Sequence, residues 1–527
     1  MGDEMSNISR RALLGGTTAV AASMGFPRLN HDFLFNSAYA ATASRPMVFL
    51  AAEALTGNWD PTTHTNLGQL IFESFVFGYL TRCPMRPENP DQLDFELATA
   101  VTSIDKFTLE FKLREGVKFH NGEPFTAEDV KATYEYGCML DRPAQWYPGQ
   151  VEVEVVDPLT VRIKTEKFGY PAALYYYLSS FLPIMSAKDV ADKKLLASRP
   201  NGTGAFKFVE QKGDSTIMVA NENFYAGKPK IPGVTYKFVG DTTTRALALM
   251  GGEADIIERL EQEQVDTIAK NPKFVINKAV SVENKYLWFR CSKAPFNDVR
   301  VRQAAAHAID RSVLLDILGI SGTKCAAHIS PVKFGYTDVP DFPEYNPKKC
   351  QELLAAAGFP KGAGLPELEY FTSVGFYPKT KEYGEAITQM LQEQGFPVKL
   401  TVLEVAAWGN ILYDKEGGGE GHMIDCGWCT GSPEPDLILR THFHSSSKRI
   451  TGIVDPEIDA SLDRERNAAS TEERKNILQT DTLPLLAKKV PSLPLFTSVF
   501  LHAMTKDLQG IYVYPNGMQD VNKATLG

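Results

Sequence analysis

Between residues 297 and 428 the apolar residues keep changing period, and this alternation constrains the fold more than any other feature of the chain. Val301, Ala305, Ala308 and Ile309 fall at i, i+4, i+7 and i+8 behind Asn297 and Asp298, either of which can cap a helix, and Gly319 is expected to end it. The pattern then predicts a helix over 348–357 closed by Gly358, a strand near 367–372, and a helix over 380–394 closed by Gly395. A strand over 397–403, a helix near 406–414 and a strand over 422–428 follow. Helices alternating with strands argue for an α/β lobe. Earlier, Thr108 to Phe119 alternates apolar and polar residues around Gly116, which predicts a half-buried strand and a turn. Val151–Val156 and Thr160–Lys164, separated by Asp157-Pro158, predict an antiparallel pair, and Thr126 to Asp129 fits a capping box opening a helix toward Tyr136.

With 527 residues the chain can bury several cores. Its net charge of −9, with no dense run of Lys and Arg, disfavours nucleic acid or an anionic membrane as the main partner. Residues 1–40 hold Ser9-Arg10-Arg11-Ala12-Leu13-Leu14, a short run of small apolar residues, and Ala38-Tyr39-Ala40. That order reads as a signal peptide of twin-arginine (Tat) type, cleaved after Ala40, so a periplasmic location and passage through the Tat export machinery are expected. The apolar run is shorter than the ~20 residues that span a bilayer. Seven cysteines, an odd number, leave at least one thiol outside any intramolecular pairing.

Enzyme signatures are poor. No H-E-x-x-H, G-x-S-x-G or helix-opening G-x-G-x-x-G is present, and Gly417-Gly418-Gly419 lacks the Lys-Ser/Thr of a phosphate loop. Cys426-Gly427-Trp428-Cys429 is a C-x-x-C, with His422, His442 and His444 nearby, so a secreted thiol- or metal-dependent enzyme is the competing reading. On a strand, however, His422 and Cys426 stand about 13 Å apart, too far to share a metal. His120 and His307 are expected to be structural. Tyr175-Tyr176-Tyr177, Tyr286, Trp288, Trp408 and Trp428 are scattered among α/β elements, where rings build either core or ligand cleft. Trp408 follows one strand and Trp428 ends another, the positions that line crevices in open α/β sheets.

Several blocks together resemble the extracytoplasmic solute-binding proteins of dipeptide, oligopeptide and nickel ABC transporters. They are Thr108–Val130 (TLEFKLREGVKFHNGEPFTAEDV), Gly202–Phe206 (GTGAF), Asn221–Pro229 (NENFYAGKP), Gly252–Ile256 (GEADI) and Ala294–Arg311 (APFNDVRVRQAAAHAIDR). The resemblance implies a two-lobed α/β fold of the type II periplasmic-binding-protein kind with an extra subdomain. Residues 41–70, 198–285 and 495–527 would form the first lobe, 71–197 the extra subdomain and 286–494 the second ligand lobe. It further implies closure on a small-molecule or short-peptide ligand, delivery to a membrane permease, no catalysis, no cofactor and a monomer. A sensory receptor docking on a chemoreceptor, or a chaperone, is the remaining alternative. Peptide-binding members hold the peptide's amino terminus with an aspartate in a G-W-x-x-D loop. Here Gly431 or Ser432 stands in its place, with Glu434 or Asp425 as substitutes. The loop's Thr, Gly and Ser favour an opine or sugar conjugate over an ordinary peptide. Ligand contacts are expected from Trp408, Trp428, Thr430, Gly431, Ser432, Glu434 and Asp436, with Asn58 and Thr203 from the first lobe.

Overall fold

The computed structural model describes residues 45–527 except 64–65, 87–88, 90–91, 140–150, 169–170, 172–181, 375–376, 413–418 and 448. The leader, the Tyr175–Tyr177 run and Gly417-Gly418 lie outside the described residues. No described helix is long and apolar enough to cross a membrane.

An eleven-stranded sheet runs through the molecule. Its ten main strands are β1 (Met47–Ala51), β2 (Phe206–Lys212), β3 (Ser215–Ala220), β4 (Gly233–Phe238), β5 (Ile256–Glu258), β6 (Phe274–Phe289), β7 (Leu368–Val374), β8 (Val398–Glu404), β9 (Met423–Trp428) and β10 (Ser492–Thr505). They lie in the order β8-β7-β9-β6-β10-β5-β1-β4-β3-β2, and the two-residue strand Gly322–Thr323 adds to β10. Toward each end the sheet holds parallel pairs, β1 with β4 and β5 on one side and β7 with β8 and β9 on the other. Parallel strands need both faces covered. Accordingly Phe49, Ile256 and Met504 belong to one apolar cluster, while Leu50, Ile257 and Ala503 belong to another. A third cluster surrounds the β7–β9–β6 end.

At the centre, β6 and β10 pair antiparallel along almost their whole length. The ladder breaks once in a way that matters. Val280 faces Val499, but the next pair is Asn284 with Thr497, so Ser281, Val282 and Glu283 stand opposite Ser498 alone. Such a bulge kinks a ribbon and strengthens its twist. Its backbone finds other partners: Val282 N donates to Pro515 O at 3.0 Å, and the Ser281 carbonyl accepts from Ser330 Oγ at 2.5 Å.

Most expected elements of the 297–428 region are observed within two residues: Pro347–Ala356, Thr380–Glu393 and Val405–Leu412 as helices, β7, β8 and β9 as strands. The helix from Asp298 to Gly319 is instead two, Val299–Ala308 and Arg311–Leu318. Asp310 causes the break, because its carboxylate accepts from Ser312 N at 2.9 Å and starts a new helix, as Asp298 does for Arg300 N at 2.8 Å.

The 108–164 region forms a separate four-stranded antiparallel sheet in the order Ala98–Asp105, Thr108–Leu113, Thr160–Lys164, Glu152–Asp157. The first of the expected strands ends at Leu113, short of Phe119. Leu109, Phe111, Val153, Val161 and Ile163 pack there with Val130 and Tyr134 of the helix Ala127–Met139. Only half of a capping box starts that helix. Asp129 accepts from Thr126 N at 2.8 Å, but Thr126 Oγ1 donates to the same carboxylate oxygen instead of accepting from the helix.

Two of the quoted blocks meet at the junction with the large sheet. His120 N donates to Gly202 O at 2.8 Å, the His120 ring shares a 3.0 Å contact with Gly204 O, and Gly204 N donates to Val76 O at 2.9 Å. A Cβ on Gly204 would lie 2.6 Å from the Phe75 carbonyl oxygen, which is why a glycine stands there. Gly204→Ala should therefore cost about 1–3 kcal/mol through forced overlap, read as a lowered urea midpoint with an unchanged slope.

Candidate functional site

β9 is buried along its whole length and pairs antiparallel with β6, and the loop 429–435 follows it. Trp408 sits behind the strand, 2 % exposed, its Nε1 donating to Asp425 O at 3.2 Å. Trp428 closes the strand at 5 % exposure. Its ring meets His442 edge-on at 4.3 Å, and the Arg449 guanidinium lies 4.7 Å from its centre. Both indoles thus pack within the cluster that covers this end of the sheet.

The loop is fixed by charge. Buried Lys333 donates from Nζ to Thr430 Oγ1 at 2.7 Å, to Thr430 O at 2.8 Å, and to Ser432 O. Burial pushes this ammonium down to about 7. Asn516 Nδ2 donates to Gly431 O at 2.8 Å, and Ser432 Oγ accepts from Glu434 N at 3.1 Å. Glu434, fully buried, takes two hydrogen bonds from Arg474 at 2.7 and 2.5 Å. Asp436 pairs with Arg440 at 3.2 Å and Arg466 at 2.8 Å, and Glu465 with Arg474 at 2.8 Å. Losing one partner of such a pair leaves a buried bare charge, at about 3–5 kcal/mol. Glu434 and Asp436 are therefore committed to holding the loop on the helices Pro456–Arg466 and Thr471–Ile477.

Thr430, Gly431, Ser432, Glu434 and Asp436 are brought together with Trp428 in one fastened segment. Asn58 and Thr203 belong to other segments: Asn58 Oδ1 accepts from Asp60 N at 3.1 Å, and Thr203 packs against Gly78. Asp425 is fully buried and accepts from Tyr383 at 2.7 Å and Tyr370 at 3.2 Å. Burial pushes its carboxyl up, with Lys285 opposing.

Sequence reasoning missed Glu283, Lys285 and Lys333. Lys285 is 1 % exposed; its Nζ has no hydrogen bond among the described residues and lies 2.6 Å from the centre of the Tyr377 ring. Burial draws it down to about 8 against the pull of Glu283. Glu283, in the bulge, accepts from Ser498 Oγ at 2.8 Å. The Glu283-Asn284-Lys285 run, set between Val282 and the apolar Tyr286–Phe289 end of its strand, was the available signal for this group.

The thiols stand opposite to what a nucleophile needs. Burial pushes Cys426 and Cys429 up to about 12. By exposed surface, however, Cys429 is open to solvent, the one exposed cysteine among those described. The six cysteines with described side chains are free thiols. Among the described residues no three His, Cys, Asp or Glu side chains converge as a metal site. A recess of about 260 Å3 near Arg311, Lys324 and Phe342 lies away from this group.

A large sheet crossed by one long ribbon, with a second small sheet attached and fixed polar loops at the strand ends, defines a two-lobed binding protein. Residues 93–449 match the bacterial extracellular solute-binding proteins, family 5, and the chain belongs to that family. It is a substrate-binding receptor of an ABC importer. It is 26% identical over 507 residues to the glutathione-binding protein GsiB of Salmonella paratyphi A, covering 91% of this chain and 94% of that one. To the heme-binding protein A of Haemophilus influenzae it is 28% identical over 451 residues, covering 79% and 80%. The structure of MoaA of A. tumefacien R10 in complex with mannopinic acid superposes with a TM-score of 0.71 at 24% identity, over 92% of this chain and all of that one.

His442 offers a pH test. Its Nδ1 bonds Ile438 O at 2.8 Å, and burial takes the ring down to about 3, well below the ordinary 6.5. Between those values the unfolded chain holds the extra proton, so stability falls as pH falls, by about 1.4 kcal/mol per unit for this group. In His442→Gln the unfolding free energy should lose about one proton's worth of slope between about pH 6 and pH 4, measured by urea titration at each pH.

Proposed function

We propose that this receptor captures a small polar ligand by rotation of its two lobes about the β6–β10 ribbon and hands it to the permease unchanged. The supporting observation is the three-against-one bulge at Ser281–Glu283, the wider of the two points where the longest strand pair of the sheet shifts register. A ribbon bends most easily where its ladder is already open. In this reading 41–70, 198–285 and 495–527 form the first lobe, 71–197 the extra subdomain and 286–494 the second lobe. The protein works as a monomer in the periplasm after removal of residues 1–40, and it makes and breaks no bond in its ligand.

Ligand class is not given by kinship alone, since the relatives are named for glutathione and for haem and one structural neighbour holds mannopinic acid. Two of those three are amino-acid derivatives, which favours a short peptide or amino-acid conjugate.

Small-angle scattering with saturating glutathione or mannopinic acid should show a smaller radius of gyration than the ligand-stripped protein. Calorimetric binding of either probe with an unchanged scattering curve would defeat the clamp. Export is tested separately. Replacing Arg10 and Arg11 together by lysine should leave the full-length precursor in the cytoplasm on cell fractionation, whereas unchanged periplasmic recovery would sink the Tat route.

A further inference from the structure

The carboxylates near the start of the 429–435 loop are all spoken for except one. Glu434 is held by Arg474, Asp436 by Arg440 and Arg466, and Asp425 by two tyrosine hydroxyls. Glu283 has one neutral donor, Ser498, and no ion pair among the described residues. The nearby cations are engaged elsewhere. Arg259, just beyond β5, pairs with Glu53, and Lys285 rests on the Tyr377 ring.

We propose that Glu283 is the carboxylate that receives an ammonium group of the ligand, in place of the loop aspartate that this chain lacks. This rests on the reading of the chain as a receptor and adds its ligand chemistry: a short peptide or amino-acid conjugate with a free, protonated amine.

Four features carry the assignment. Glu283 sits in the bulge, so its side chain is presented by irregular backbone at the crossing of the lobes. It lies over Gly427, where a Cβ would come within 2.6 Å of Glu283 Cδ, so the neighbouring strand leaves space for this carboxylate. Ser498, itself partly exposed like Glu283, fixes one oxygen at 2.8 Å, and no hydrogen bond to the other is found among the described residues. Lys285, two residues on, is a buried ammonium without a hydrogen-bonding partner among the described residues, and it offers a pole for the acidic end of a zwitterion. Arg259, Lys285 and Cys429 each lie within electrostatic range of Glu283. A carboxylate meeting an ammonium there gains a charge-assisted bond that an amide or hydroxyl cannot supply.

The test uses ligand-stripped mature protein and matched probes: glutathione and Met-Leu, each with a free and an N-acetylated amino group, followed by calorimetric titration. The free-amine forms should bind, and acetylation should weaken binding at least tenfold, roughly the worth of one charge-assisted bond. Glu283→Gln should lose a similar factor toward the free amines with an unchanged melting temperature, and lose nothing toward the acetylated forms. Ser498→Ala, which unfastens the carboxylate without removing it, should show a smaller loss in the same direction and serves if Glu283→Gln does not fold. Equal affinity for free and acetylated probes, or full affinity in folded Glu283→Gln, overturns the ammonium site and leaves the receptor reading standing. If no probe binds, mass spectrometry of the unstripped protein separates the two failures. A co-purified molecule without an amine overturns the site alone; an empty protein overturns both.

Discussion

The pairing of β6 with β10 is the constraint on which the rest of this molecule depends. Sixteen and fourteen residues long, these strands are the centre of a sheet whose two ends are otherwise built from separate parallel units. Antiparallel neighbours tolerate a bulge, whereas the parallel pairs at either end are locked by apolar clusters on both faces. The ladder is therefore open within this ribbon, at the wide break where three residues answer one and again at Lys285–Tyr286. Glu283 belongs to the wider break, so the same irregularity that opens the ladder carries a charged side chain.

Around the loop after β9, charge serves to hold backbone. Lys333 gathers the carbonyls of Thr430 and Ser432, and Arg474, Arg440 and Arg466 answer Glu434, Asp436 and Glu465. A loop rich in Gly, Ser and Thr has little side-chain burial to hold it in place, and interior ion pairs substitute for that packing at a large desolvation cost. The result is a loop whose backbone is fixed before any partner arrives.

The sequence carried the α/β region from 347 to 428 to within two residues, because its helices are amphipathic and punctuated by glycine or a capping side chain, while its strands are short apolar runs between them. It misled at Asp310, where one carboxylate split an apparently continuous helix, a local competition that apolar periodicity does not register. The 428–436 loop was legible as a segment, and its partners were not. Arg474, Lys333 and Asn516 reach it from 40 to 97 residues away in sequence. Glu283 was hidden for the same reason: its meaning depends on Gly427 and Ser498, which only the sheet brings beside it.

The thiols have a consequence of a different kind. Five of the six described cysteines are buried and one, Cys429, meets solvent, one residue past the end of β9. A maleimide dye added to the native protein would therefore enter, among the described positions, at the end of β9 beside the fastened 429–435 loop. That exposed thiol is a native attachment point for an optical reporter of the loop's surroundings.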